Sequence, residues 1–214
     1  MNRRLPTIVF VLAAVLLAGS ASAQQGPPVG PQEPPGKKDL IEPPAEIPKL
    51  PRGGRIRNLE FLFGALKVAP DEASAKNIED RIWALWLASG SDTCNLLMTR
   101  VKAAIDGENY DLAIRLLDAI IEIRPKYVEA WNRRATVFFL KRDYGSALAD
   151  LGQVLAREPR HFGALSGLGI ILQEVGEEKQ ALEVFRRALA IHPHLERIPD
   201  LVKRLSSKID GRDL

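Results

Sequence analysis

The sequence predicts an all-α protein, an α-solenoid built from antiparallel helix pairs. Two residue types recur at a step of 34 residues, namely alanine at Ala113, Ala147 and Ala181 and proline at Pro125, Pro159 and Pro193. A fixed period of this length is typical of stacked helix–turn–helix units, which share one continuous apolar core. Proteins of this class usually bind partners and rarely carry out chemistry, so the pattern indicates a binding function.

Residues 1–23 are predicted to be a secretory signal peptide. Arg3 and Arg4 precede 19 uncharged residues, and Ala21 and Ala23 form a small-x-small cleavage site at their end. A retained membrane anchor is the alternative, because a membrane span needs roughly 20 apolar residues. The cleavage site favours removal, and we then expect a periplasmic protein with no stable membrane insertion.

Charge and cysteine content narrow the classes of partner. Removal of the signal takes away two of the 30 basic side chains and none of the 27 acidic ones, which leaves a net charge of +1. No basic stripe is interleaved with aromatic residues, so a nucleic acid is not expected as a partner. Cys94 is the only cysteine, which excludes an internal disulfide and favours a buried small apolar side chain. An intermolecular bridge through Cys94 is the alternative.

Residues 24–57 are predicted to form a proline-rich disordered tether. Nine of the 15 prolines lie between residues 24 and 51. Proline fixes φ and removes a backbone donor, so such a segment is extended and semi-stiff. A spacer is the favoured interpretation, and a proline-rich ligand for another domain is the alternative.

Residues 58–93 are predicted to form a helical capping pair, a degenerate repeat at the N-terminal end of the stack. Pro70 separates its two helices and Gly90 follows the second. Terminal units of a stack are atypical because one of their faces meets no neighbour. We expect Trp83 and Trp86 to cover the end of the core, with ligand stacking on Trp83 as the alternative.

Three full units follow at residues 94–127, 128–161 and 162–195, and a C-terminal capping helix and tail occupies 196–214. The second helices carry a repeated apolar stripe, formed by Ala113, Leu117, Ile120 and Ile121, then Ala147, Leu151, Val154 and Leu155, then Ala181, Phe185, Ala188 and Leu189. Gly107 and Gly176 are predicted to take left-handed conformations in the turns within units. Small residues such as Ala135, Ala147 and Gly169 are expected where helices cross closely.

The third unit carries a recognisable motif, which reads Leu165-x2-Leu168-Gly169-x2-Leu172, then Ala181-x3-Phe185, then Pro193. This pattern resembles the tetratricopeptide repeat (TPR) family, with leucine in place of the usual leading tryptophan that the second unit keeps as Trp131. Together with the signal, the chain resembles secreted TPR proteins of proteobacteria. The resemblance implies a protein or peptide partner and no catalytic residue or cofactor.

In this family the first helix of each unit lines a concave groove. Read from the repeat phase, the groove residues are Asn95, Met98, Lys102, Glu129, Asn132, Thr136, Phe139, Ser166, Ile170 and Gln173, with Gly163 beside them. Such a mixed surface suits an extended peptide or a helix. The carboxylate clamp of the chaperone-binding branch is not matched, because Met98 and Thr136 stand where a cation and an amide are needed. We expect Phe139 to be either an energetic anchor or a packing residue.

The second unit departs from the motif at Arg134, where the third unit has a leucine. In many family members an Asn-Arg-(Gly/Ala) run accompanies an aspartate on the second helix. This resemblance predicts a structural ion pair between Arg134 and Asp150.

Catalytic and metal sites find little support. His161, His192 and His194 lack a usual zinc spacing, and we expect surface turn residues there. No nucleophile elbow or phosphate-binding loop is present. The leading hypothesis is therefore a periplasmic interaction module for an envelope protein. The alternatives are a chaperone-like subunit of an envelope or cytochrome biogenesis machine, and an enzyme with an unrecognised site.

Overall fold

A computed structural model describes the backbone of residues 55–211 and the side chains of residues 59–211. Within this range the chain forms nine α-helices, and it has no β-strand. They are α1 (Arg55–Lys67), α2 (Glu72–Leu87), α3 (Asp92–Asp106), α4 (Tyr110–Ile123), α5 (Val128–Leu140), α6 (Tyr144–Arg157), α7 (Phe162–Glu174), α8 (Glu178–Ile191) and α9 (Ile198–Asp210). The predicted signal peptide and most of the predicted tether lie outside the described residues.

The helices from α3 to α9 form a stack of hairpins. The pairs α3–α4, α5–α6 and α7–α8 pack within each unit, and α4, α6 and α8 each pack against the next helix in the chain. This arrangement confirms the predicted all-α solenoid of helix pairs. Among residues 55–211 no helix is both long enough and apolar enough to cross a bilayer.

The turn within each unit repeats the same backbone geometry. Glu108, Arg142 and Gly176 lie 34 residues apart and all have a positive φ, of 57°, 60° and 87°. In each turn the next residue donates its N–H to the carbonyl five positions back, which satisfies an otherwise unpaired helical acceptor. The prediction for Gly107 is therefore wrong by one residue, since Gly107 has φ −85° and the left-handed position falls on Glu108.

The interior of the described chain contains two apolar clusters. One lies between α3, α4 and α5 and includes Cys94, Leu117 and Val137. The other joins α5 to α9 with α1 and α2 and includes Phe139 and Phe185. Leu140, which is partly buried, is the one described side chain that packs against both clusters. The predicted single continuous core is thus divided at α5, which contributes different buried side chains to each cluster.

The N-terminal hairpin (α1 and α2) does not extend the stack beyond α3. Instead α1 packs against α8, and α2 packs against α5. The hairpin therefore does not occupy the predicted position at the N-terminal end of the stack. Gly163 on α7 explains the position of the hairpin, because a Cβ added at this residue would lie only 2.9 Å from Cη2 of Trp83. The missing side chain at Gly163 thus makes room for the ring of Trp83 against α7.

The last helix, α9, packs against α8, as expected of a C-terminal capping helix. Its apolar side is buried through Ile198, Leu205 and Ile209. Pro199 stands in its first turn, where a missing N–H costs no hydrogen bond.

Close approach of helices in the third unit makes Gly169 sensitive to substitution. A Cβ at this position would lie 2.4 Å from Cε1 of Phe185, whose ring is fully buried. We expect Gly169→Ala to lower the free energy of unfolding by about 1–3 kcal/mol, because the ring must move against its packed surroundings. Urea denaturation followed by circular dichroism measures the change.

Gly152 provides the matched control. It lies in α6 with nothing within 4 Å of an added Cβ. Gly152→Ala should raise the free energy of unfolding by about 0.5–1 kcal/mol, because alanine loses less backbone entropy in a helix. Equal effects of the two substitutions would contradict the close packing at Gly169.

Candidate partner-binding groove

The predicted groove residues lie on α3, α5 and α7, but they differ sharply in exposure. On α3, Asn95 and Lys102 are exposed and Met98 is half-buried. On α5 and α7 most members are buried, and these are Glu129, Asn132, Phe139, Ser166 and Ile170. Only Thr136, half-buried, and Gln173, exposed, keep solvent contact there. The surface is thus open at the first unit and closed over the second and third.

The N-terminal hairpin closes this part of the groove. Phe139 and Ile170 belong to the same apolar cluster as Ile82 and Trp83 of α2. Trp83 is fully buried, and its ring meets Phe162 edge to face at a centroid distance of 5.5 Å. Neither prediction for Trp83 describes this position, because the residue packs on the inner side of α7 and offers no ring face to a ligand.

The inter-unit turns form hydrogen bonds to the hairpin, beginning at its C-terminal end. Nη2 of Arg124 donates to the carbonyl of Ser89 at 2.9 Å, and the hydroxyl of Tyr127 donates to the carbonyl of Leu87 at 2.8 Å. Both acceptors follow or end α2, where helical carbonyls lack partners. Burial raises the pKa of Tyr127, which keeps the hydroxyl protonated as a donor.

The next turn contacts α1. Arg160 donates two hydrogen bonds to the carboxylate of Glu60, at 2.9 and 2.6 Å, and its guanidinium carbon lies 4.2 Å from the ring centroid of Phe63. The hydrogen bonds from Arg160 lower the pKa of Glu60. Since Glu60 is exposed, this pair orients the hairpin more than it stabilises it.

His161 is fully buried, which corrects its predicted position on the surface. Its Nδ1 accepts the N–H of Ala164 at 3.0 Å and so caps α7. The ring proton must therefore be on Nε2, which lies 2.7 Å from Oε1 of Glu129 and donates to it. The imidazole also stacks on Trp86, with centroids 4.0 Å apart and planes 9° apart. A neutral histidine thus links the repeat to the hairpin.

His192 is also buried, and its Nε2 lies 3.1 Å from Oε2 of Glu79. The other oxygen of Glu79 accepts hydrogen bonds from Trp83 and Lys76. Burial raises the pKa of Glu79, but the hydrogen bonds and charges of His192 and Lys76 outweigh it, so that the net shift is downward. The carboxylate is therefore ionised inside the contact between hairpin and repeats. His194 lies nearby with Nε2 3.0 Å from the carbonyl of Ala69.

Arg134 and Asp150 lie together outside this contact. Nε and Nη2 of Arg134 donate to the two oxygens of Asp150 at 2.7 and 2.8 Å, and Nη1 donates to Asp118 at 2.5 Å. The hydrogen bonds to Asp150 raise the pKa of Arg134. The guanidinium also lies over Trp131, 5.0 Å from the ring centroid. The arrangement joins α4, α5 and α6, so its role is structural.

Within the described residues, no group of three or more histidine, cysteine or carboxylate side chains could hold a metal ion. Cys94 is buried and has a free thiol. Polar groups of the hairpin and of the repeats pair with one another, as Glu79 does with His192 and Glu60 with Arg160.

Comparison with known proteins identifies the repeats. Two tetratricopeptide repeat family models match residues 98–151 and 138–205. A TPR repeat-containing protein of Rhizobium etli is 39% identical over 155 residues, which cover 72% of this chain and 76% of that protein. The chain belongs to the tetratricopeptide repeat family.

Solved TPR structures share this fold. The first TPR of Spaghetti (RPAP3), bound to the HSP90 peptide SRMEEVD, has a TM-score of 0.53 and is 18% identical, covering 56% of this chain and 98% of its own. The Sgt2 TPR domain from Aspergillus fumigatus also gives a TM-score of 0.53 at 18% identity, covering 57% of this chain and 83% of its own. At this identity the likeness concerns the fold.

Arg134 and Asp150 allow a test of the structural ion pair. The third repeat has Leu168 and Val184 at the corresponding positions. Arg134→Leu alone should lower the free energy of unfolding by about 3 kcal/mol, because it leaves the buried carboxylate of Asp150 without its cation. Denaturant unfolding at neutral pH measures the loss.

The double variant Arg134→Leu/Asp150→Val is the control, because it copies the apolar pair of the third repeat. We expect it to recover most of the lost stability, within about 1 kcal/mol of the wild type. Additive losses in the double variant would show that the two residues act independently.

Proposed function

We propose that this chain is a non-catalytic protein-interaction module, exported to the periplasm, that binds an extended peptide or a helix of an envelope protein. The observation that carries the proposal is the open inner side of α3. Asn95 and Lys102 are exposed there, and half-buried Met98 supplies an apolar contact between them. Neutral and charged hydrogen-bonding groups around an apolar contact suit a polypeptide ligand.

The peptide-bound TPR structure supports the proposal, since that protein binds an HSP90 peptide on the same fold. This chain lacks the residues for a carboxylate clamp, because Met98 and Thr136 replace a cation and an amide. We therefore propose recognition of side chains within the partner segment and not of its C-terminal carboxylate.

Charge reversal at Lys102 tests the proposed surface. After in-cell crosslinking and affinity capture of the full chain, Lys102→Glu should recover about tenfold less of the partner than the wild type, since it reverses a charge beside the binding surface. Arg115→Glu is the matched control, because Arg115 is exposed on α4, the second helix of the same unit. Equal recovery by both variants would contradict binding at α3.

The same capture separates the two leading functions. One partner recovered in a fixed ratio supports a scaffold. Many weakly held, unfolded proteins would instead indicate the chaperone-like subunit of a biogenesis machine.

The export proposal has its own measurement. Intact mass of the chain recovered from the periplasmic fraction should correspond to a protein that begins at Gln24, after loss of the 23-residue signal. A full-length chain found in the membrane fraction would show a retained anchor instead.

A further inference from the structure

We propose that the N-terminal hairpin is an exchangeable internal ligand, and that the inner surface of α5 and α7 is a second part of the partner site. The occupant that replaces the hairpin is an amphipathic helix of the partner, with a carboxylate followed by aromatic residues four and seven positions later. This proposal rests on the proposed function and extends it from the open face of α3 to the closed part of the groove.

The helices of the repeat stack pack against one another in chain order without the hairpin between them. Each helix from α3 to α9 packs against its neighbour in the chain, and α9 covers the end of the last unit. The apolar cluster between α3, α4 and α5 contains no hairpin residue. The hairpin belongs to no repeat, and its apolar residues are an addition to the second cluster, which it shares with α5 to α9.

The link between the hairpin and the stack is short and bent. Only residues 88–91 separate α2 from α3, and Gly90 among them has φ 72°. Arg124 and Tyr127 bind the carbonyls of Ser89 and Leu87 at this link, directly after Trp86. The hairpin therefore leaves the groove by turning about Gly90, and these two hydrogen bonds open with it.

The contact between hairpin and groove contains buried polar atoms that lack hydrogen-bond partners. Nε1 of Trp86 and Nδ1 of His192 are buried without a hydrogen-bond partner. A buried polar atom without a hydrogen-bond partner raises the free energy of the state in which the hairpin covers the groove. Nε1 of Trp86 regains a partner in water when the hairpin leaves, and a ligand that supplies a partner for Nδ1 of His192 has an advantage over the chain's own hairpin.

Three features of the inner surface define the chemistry of the ligand. Gly163 leaves space that accepts the ring of Trp83. The imidazole of His161 forms a flat surface that stacks on Trp86. Nε2 of His192 pairs with the carboxylate of Glu79, four residues before the first tryptophan. A partner helix that presents the same groups in the same order fits this surface.

Binding of the isolated α2 segment to the full chain tests the proposal. The probe is a fluorescent peptide of residues 72–91, and its anisotropy is measured with the wild type and with Trp83→Ala/Trp86→Ala. The double variant weakens its own hairpin contact, so it should bind the peptide about tenfold or more tightly than the wild type. A peptide that lacks both tryptophans should not bind.

Asn77→Ala/Arg81→Ala is the matched control in the chain, because both residues lie on the exposed side of α2. This variant should bind the peptide no better than the wild type. A folded Trp83→Ala/Trp86→Ala variant that fails to bind the peptide overturns the proposal. The capture experiment at Lys102 is unaffected by that outcome, so the proposed function is judged separately.

Hydrogen exchange on the wild-type chain decides the matter if the double variant does not fold. An exchangeable hairpin opens without unfolding of the stack, so amides of α2 should exchange at least about tenfold faster than those of α7. Equal rates in both helices would show that the hairpin is a fixed part of the core. A concentration-dependent dimer that exchanges hairpins would also overturn the proposal, because a second copy would then be the occupant.

Discussion

Close packing of small residues against large ones, repeated every 34 positions, supports the remainder of this structure. Ala113, Ala147 and Ala181 are completely buried, and Gly169 lies against the ring of Phe185. Where a helix presents no side chain, its neighbour approaches closely and buries more apolar surface. The orientation of each pair, and with it the inner surface of α3, α5 and α7, follows from these contacts.

The same principle acts a second time on the inner side of the stack. Gly163 leaves space on α7, and the ring of Trp83 from α2 occupies it beside Phe162. A surface of small side chains buries little apolar area by itself, but it binds a large side chain that fits against it. The chain thus carries both halves of a recognition surface, the space on α7 and the group that occupies it.

The sequence predicted the repeats well and the hairpin poorly, for a physical reason. Helix pairs within the stack depend on local periodicity, so Ala147 and Pro159 indicate their positions directly. The position of α2 depends on contacts such as Glu79 with His192, which are 113 residues apart and belong to no repeat. The concentration of tryptophan in a terminal pair, at Trp83 and Trp86, was a signal of a larger buried contact than a cap provides.

The burial of the turn histidines does not follow from the sequence for a related reason. A turn position suggests exposure only when nothing packs over it, and the hairpin packs over His161 and His192. The pair of Arg134 and Asp150 could be predicted because it lies within one unit and follows the family motif. The additional hydrogen bond to Asp118 could not, because the first repeat offers no matching motif.

The division of the interior at α5 has a consequence for the cooperativity of unfolding. Two apolar regions that share a single helix do not have to melt together, since each buries its own side chains. Local opening of one region therefore leaves the buried side chains of the other in contact, with α5 as the boundary between them.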